Sequence, residues 1–255
     1  MDFKGKVAIV TGSGSPRGIG REITRALAEK GCNVVVADMN LEGAQKNADD
    51  LKNEFGCDSM AVSVNVTDAD SVGKMFEDVF AKYGKIDILC NNAGITQPVT
   101  IDDMTKDDFL RIMNVNLVGT FLCSKLVVPY MVKGNYGRIV NTSSVSAKCG
   151  GGVYGGAHYC AAKAGIIAFA RAQAMELCKK YKDMITVNCV CPGLIATDIR
   201  AELSDEKEKE SRAKQAMGRA GTAREVANTI VWLASDEAGY VSGEDVNVNG
   251  ASYFG

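Results

Sequence analysis

The sequence alternates throughout between short runs of strand-forming apolar residues and segments long enough for a helix. The strand-like runs cover residues 7–11, 33–37, 60–64, 86–90, 137–142, 185–190 and 245–248, and several are almost continuously apolar. A strand reads that way when both of its faces are buried, because no solvent side is left for polar residues to occupy. Between them, residues 19–30, 41–54, 69–82, 106–128, 159–179 and 224–234 are helix-length segments, several opening near Asp, Thr or Ser. Those side chains cap the orphan N–H groups of a helix start. Repeated strand–helix units predict a parallel sheet with helices on both faces, a doubly wound α/β fold of the Rossmann type. No repeat or linker divides the chain, so residues 1–255 are expected to form one domain, with 46% hydrophobic residues to fill its core.

Charge narrows the partners. With 29 basic and 31 acidic residues well mixed and a net charge of −2, the chain carries no electrostatic footprint for nucleic acid or an anionic membrane. Its first residues, Met1-Asp2-Phe3-Lys4-Gly5-Lys6, lack the zones of a signal peptide, and no uninterrupted apolar run reaches membrane-spanning length. Nine cysteines without paired CxxC spacing argue against a disulfide framework, so a reducing cytoplasm is the expected location. Cys189 and Cys191 would share one face of a strand; buried core thiols, rather than half of a metal site, are the expectation there.

In doubly wound sheets, ligands bind beyond the carboxyl ends of the strands, where the strand order reverses. The first run leads into Thr11-Gly12-Ser13-Gly14-Ser15-Pro16-Arg17-Gly18-Ile19-Gly20 and then a helix. Such a turn lets the backbone approach a pyrophosphate, while the helix start offers free N–H groups and a favourable dipole. The same glycines would also serve a tight turn that holds no ligand. The second run ends on Asp38, roughly 20 residues beyond the glycines, where a carboxylate accepts both ribose hydroxyls of an adenosine. It would repel a 2′-phosphate, so Asp38 favours NAD over NADP, while Arg17 pulls toward NADP. Asp38 can also serve as a helix N-cap for the segment after Met39.

With these features in place, the chain resembles the short-chain dehydrogenase/reductase family over nearly its whole length. The resemblance rests on Asn91-Asn92-Ala93-Gly94, Asn116 within Val115-Asn116-Leu117, Ser143-Ser144, Tyr159-Cys160-Ala161-Ala162-Lys163, and Pro192-Gly193-Leu194-Ile195-Ala196-Thr197, in that order. It implies that Asn92, Ala93 and Gly94 support the sheet beside the dinucleotide, that Pro192, Gly193 and Ile195 border it, and that Thr197 holds the nicotinamide carboxamide. Asn65 and Val66 fall where the family contacts adenine, with Asn65 replacing its usual aspartate. Two spacings depart from the family. Five residues separate Gly12 from Gly18 where three are usual, although counting from Gly14 restores the spacing, so either glycine can make the first turn. Counting thirteen back from Tyr159 gives Ser146, whereas the strand-end context points to Ser144, which is preferred.

The chemistry expected is interconversion of a secondary alcohol and a ketone. A free tyrosine, with a pKa near ~10, is too weak an acid. Lys163 lies four residues after Tyr159, on the same helix face, where its ammonium would stabilise the phenolate. Tyr159 then acts as acid toward a ketone or base toward an alcohol, Ser144 stabilises charge on the substrate oxygen, and the resemblance implies that Lys163 grips the nicotinamide ribose and Asn116 holds a relay water. His158 adjoins the tyrosine, but no G-x-S-x-G elbow accompanies it, so a rim or exposed histidine is expected rather than a hydrolase. The charged run Ala201-Glu202-Leu203-Ser204-Asp205-Glu206-Lys207-Glu208-Lys209-Glu210 tilts the substrate toward a small polar molecule such as a polyol or sugar. The alternatives are an NADPH-dependent 3-oxoacyl-thioester reductase and a non-catalytic dinucleotide-binding sensor or scaffold. The resemblance also implies a homotetramer built through the helices at 106–128 and 159–179 and the C-terminal strand.

Overall fold

In a computed structural model, which describes residues 1–151, 155–197, 212–213 and 215–255, the strand–helix alternation closes into one sheet. Strands β1 (Val7–Thr11), β2 (Asn33–Asp38), β3 (Ser59–Ser63), β4 (Ile88–Asn91), β5 (Gly137–Thr142), β6 (Ile185–Pro192) and β9 (Asp245–Val248) pair in parallel, in the order β3-β2-β1-β4-β5-β6-β9. A small parallel pair, β7 (Ile195–Ala196) and β8 (Gly221–Thr222), stands apart. The chain winds outward from β1 through β2 to β3, then returns to place β4 on the other side of β1. That reversal opens a crevice at the carboxyl edge, beside the glycine-rich turn.

Alternation along β1 shows why its sequence lacks a polar side. Val7 and Ile9 join a core with Phe76, Val127 and Ile166, while Ala8 and Val10 join a second core with Leu27, Leu51 and Ile230. The first core lies under α3 (Ala69–Tyr83), α5 (Gly119–Lys133) and α7 (Ala157–Tyr181), the second under α1 (Ile19–Ala28), α2 (Leu41–Phe55) and α8 (Ala223–Leu233). The remaining helices are α4 (Lys106–Met113) and the short α6 (Ser146–Cys149). Cys189 and Cys191 belong to the first core as buried thiols.

Three departures from the expected elements can be traced to particular residues. Strand β4 starts at Ile88 rather than residue 86, because the Asp87 carboxylate accepts the Val7 N–H at 2.8 Å in place of a ladder bond. Strand β6 runs on to Pro192, since Cys191 and Pro192 still pair with Asn247 and Val248. The helix expected over 106–128 extends to Lys133 and is interrupted by a π-helical turn at Asn114–Val118. Such turns insert where a functional group must leave the regular helical ladder, and Asn116 sits at its centre. By length and composition alone the stretch Lys106–Lys133 could cross a membrane; in this fold Ile112, Cys123, Val127 and Met131 are buried and α5 lies against β4, β5 and α3.

Helix starts divide into two kinds. The Asn40 side chain caps α2 by accepting the Gly43 N–H, and Thr105–Asp108 and Thr222–Glu225 form capping boxes on α4 and α8. By contrast, α1 starts on Gly18 and α7 on Gly156, neither of which can offer a side-chain cap. Both of these glycine starts lie at the functional edge of the sheet.

Candidate active site

A cavity of about 740 Å³ runs along this edge, from the start of α1 and the tip of β2 to the first turn of α7. That volume suits an extended small molecule or cofactor. Gly12 makes the first turn of the loop: its φ is +65° and a Cβ there would stand 2.6 Å from the Ala93 Cα. Gly14 instead donates its N–H to Asp38 Oδ2 at 2.8 Å, so the question left open by the loop spacing is resolved for Gly12. Gly12, Gly18 and Ile19 line the cavity, whereas Gly20 is buried beneath the turn. The uncapped N–H groups at the start of α1 form an anion-binding end, and together with Asp38 they fit a nucleotide with its pyrophosphate at the helix.

Asp38 faces the cavity with both carboxylate oxygens engaged, Oδ2 by Gly14 and Oδ1 by the Asn40 N–H at 2.9 Å. It is not the N-cap of α2, a role taken by Asn40 because the helix begins one residue later than Asp38 could reach. Arg17 is exposed and is not among the residues lining the cavity. Val66 lines it, but Asn65 does not: the Asn65 side-chain Oδ1 turns back to accept the Thr67 N–H and hydroxyl. Val64 and Val66, rather than the Asn65 amide, therefore line this end of the cavity.

The Asn-Asn-Ala-Gly turn is bonded directly to the glycine loop. Thr11 Oγ1 accepts the N–H groups of Asn92 and Ala93, and the Asn92 amide donates to the carbonyls of Thr11 and Gly12. Asn91 points the other way, into the interior, where it donates to Ser124 and Asn141. Asn92, Ala93 and Gly94 all line the cavity. The fully buried Asn116 side chain accepts the Ile95 N–H and donates to the carbonyls of Ile95 and Ile112. Its amide thus clamps the segment leaving β4.

Ser144, Tyr159 and Lys163 meet at the far end of the cavity. The expected helix began at Tyr159, but α7 begins at Ala157, which sets the phenol in the first turn. Burial raises the Tyr159 pKa above the ordinary phenol value, and the polar Ser144 hydroxyl nearby pulls in the opposite direction. The Ser144 oxygen also accepts the Ser146 N–H at 3.1 Å. Ser146 thus supports the Ser144 hydroxyl through its backbone, and both serines line the cavity. Lys163 Nζ stands 5.6 Å from the Tyr159 ring centre and donates to the Thr142 carbonyl at 2.8 Å. Burial pushes its pKa down to about 8. Ser143 locks strand to helix by donating its hydroxyl to the Lys163 carbonyl at 2.8 Å.

Pro192, Gly193, Ile195 and Thr197 complete the wall. The charged run at 201–210 lies outside the described residues, as does Tyr154. His158, expected at the rim, is fully buried instead, because its ring turns inward to bond the backbone of α7.

Comparison with known proteins agrees with this arrangement. A family model described as enoyl-(acyl carrier protein) reductase matches residues 12–251. The chain is 41% identical over 253 residues to the 3-oxoacyl-(acyl-carrier-protein) reductase FabG of Escherichia coli (strain K12), covering 99% of each chain. It is also 41% identical to an uncharacterized short-chain type dehydrogenase/reductase of Sinorhizobium fredii, covering 98% of each. A third relative, the 3-oxoacyl-(acyl-carrier-protein) reductase FabG of Aquifex aeolicus, is 38% identical over 99% of each. The chain belongs to the short-chain dehydrogenase/reductase family. As a member it is an NAD(P)-dependent oxidoreductase acting on alcohol and keto groups. Several residues lining the site of this dehydrogenase/reductase escaped the sequence reading, among them Ile95, Thr96, Val145, Cys149, Leu194 and Tyr253. The first five follow strand ends, so the strand-end rule could have found them; nothing near Tyr253 in the sequence signals its place.

Proposed function

We propose that this chain reduces the keto group of 3-oxoacyl thioesters to a hydroxyl, with Tyr159 as the proton donor. The observation that carries the reading is the meeting of Ser144, Tyr159 and Lys163 in one cavity whose described wall includes Ile95, Val145, Leu194 and Tyr253. A polyol needs a polar partner for each hydroxyl, because burying an unpaired one costs about 1–3 kcal/mol; an acyl chain needs only apolar surface. The relatives named as 3-oxoacyl-(acyl-carrier-protein) reductases support the same choice over a small polar substrate.

The start of α1 would hold the pyrophosphate, Asp38 the adenosine ribose, Lys163 the nicotinamide ribose, and Thr197 the carboxamide. When bound, the dinucleotide supplies the hydride. Ser144 donates its hydroxyl to the ketone oxygen and stabilises the charge that develops there. Tyr159, kept neutral by burial, gives that oxygen its proton. Lys163 holds positive charge beside the phenol as the proton leaves. We also assign NAD as the preferred form, on Asp38 at the ribose end, and a cytoplasmic location, on nine cysteines that are all free thiols.

The reading is tested by assaying reduced-nicotinamide consumption with acetoacetyl-coenzyme A beside a panel of ketoses and keto acids, with NADH and NADPH in parallel. Turnover confined to the sugars would sink it. The depressed Lys163 pKa sets the sign of the pH dependence: at neutral pH the amine is mostly charged, and it loses its proton as pH rises through about 8. The kcat/KM for reduction is therefore expected to be level below that pH and to fall above it. A profile rising through the same range would contradict the role given to Lys163.

A homotetramer is part of the proposal. Phe109, Leu110, Val118 and Phe121 on the α4–α5 stretch and Met175 on α7 are exposed, and Phe121 meets Phe169 edge-on at 5.9 Å. Exposed aromatic clusters of this kind mark association surfaces. Sedimentation velocity is expected to give a four-chain species, with Phe121→Glu shifting it to smaller ones; a wild-type monomer would refute the assembly.

A further inference from the structure

His158, the only histidine in the chain, is fully buried beside the tyrosine and has no part in the chemistry above. Helix α7 starts on Gly156 without a side-chain cap. Its Tyr159 N–H is shared between the Gly156 carbonyl at 3.0 Å and the Nδ1 of His158 at 2.8 Å. A ring nitrogen that accepts carries no proton, so the neutral imidazole bears its hydrogen on Nε2. That nitrogen faces Gln97 Oε1 at 3.4 Å.

The Gln97 amide is itself held from two sides. Its oxygen also accepts from Arg111 Nη2 at 2.9 Å, and its nitrogen donates to Asp108 Oδ1 at 2.7 Å. A flipped amide would set its NH2 against two donors and its oxygen against a carboxylate, so one orientation is fixed. The backbones meet as well: the Gln97 carbonyl accepts the Gly156 N–H at 3.3 Å, and a Cβ on Gly156 would strike the Val99 carbonyl. One side chain therefore joins α4, the segment leaving β4 and the first turn of α7. The residues just before it, Ile95 and Thr96, line the cavity.

We propose that Gln97 and His158 are positioning residues that hold the start of α7, and with it the Tyr159 phenol, in register with the cavity wall at Ile95 and Thr96. The inference rests on the reading of Tyr159 as proton donor. A displaced donor loses rate rather than cofactor affinity, because proton transfer depends on alignment within a fraction of an ångström.

The test is a double-mutant cycle with acetoacetyl-coenzyme A as probe, using Gln97→Met, His158→Asn and the pair. Each single variant is expected to lower kcat by about tenfold to 100-fold, to shift the pH profile of kcat, and to leave the dissociation constant of the dinucleotide within twofold. The pair is expected to lose no more than the worse single, because both break one link. Losses that multiply, or a Gln97→Met enzyme with wild-type kcat and pH profile, would overturn the inference. Should Gln97→Met fail to fold, Gln97→Glu decides by the same split: it keeps the acceptors for Arg111 and His158 but sets an oxygen against Asp108. Tyr159→Phe is measured alongside; turnover retained there would remove the proton-donor reading itself, whereas its loss together with unaltered Gln97 variants would remove only the positioning couple.

Discussion

Tyr159→Phe is expected to lower kcat for ketone reduction by about 10²- to 10⁴-fold, the range a positioned general acid contributes, while dinucleotide binding stays within twofold of wild type. The phenol is the group that gives up the proton, and phenylalanine keeps the ring that fills the site next to Ser144. Ser144 would remain to polarise the ketone and the apolar cavity to bind it, which is why a residual rate is expected. Steady-state rates and fluorescence titration of NADH binding separate the two quantities. A variant that kept more than a tenth of wild-type kcat would end the assignment, and one that lost NADH binding as well would show that the phenol builds the site rather than serving it.

Asp38→Ser is expected to change the cofactor, not the chemistry. The carboxylate faces the cavity at the end of β2, where its charge opposes a 2′-phosphate by about 1–4 kcal/mol at contact distance, depending on how much water screens the pair. Removing it should raise kcat/KM with NADPH by about tenfold or more and lower it with NADH, since serine keeps a single weaker acceptor for the ribose. Serine can still accept the Gly14 or Asn40 N–H that Asp38 now engages, so the loop should hold its shape. An unchanged ratio of the two cofactors would show that specificity lies elsewhere, with Arg17 the first place to look.

Much of the scaffold is written in short-range pattern. Continuous apolar runs at β1 and β2 reveal strands buried on both faces, and the glycine loop, Asp38 and the Tyr159–Lys163 spacing each sit within a few residues of a strand or helix end. Those features depend on local geometry, which fixes both their period and their position. Boundaries slipped where a distant partner intervened. Asp87 replaced a ladder bond to Val7, and β9 drew β6 onward to Pro192. The π-helical turn at Asn116 has no residue signature of its own, because it answers to the Ile95 backbone twenty-one residues away.

The sequence by itself determined a doubly wound sheet, a glycine-rich turn beside a carboxylate at the tip of β2, and a tyrosine–lysine pair on one helix face. Only the tertiary structure decided that Gly12 makes the first turn, against Ala93, and that the Ser146 N–H supports the Ser144 hydroxyl. It alone turned Asn65 away, buried His158 against Gln97 and brought Tyr253 into the cavity. The placements of Gly12, His158 and Tyr253 are contacts between segments far apart in the chain, set by how helices seat on the sheet. Periodicity and capping act within a turn or two, so they carry no record of which distant backbone a side chain will meet.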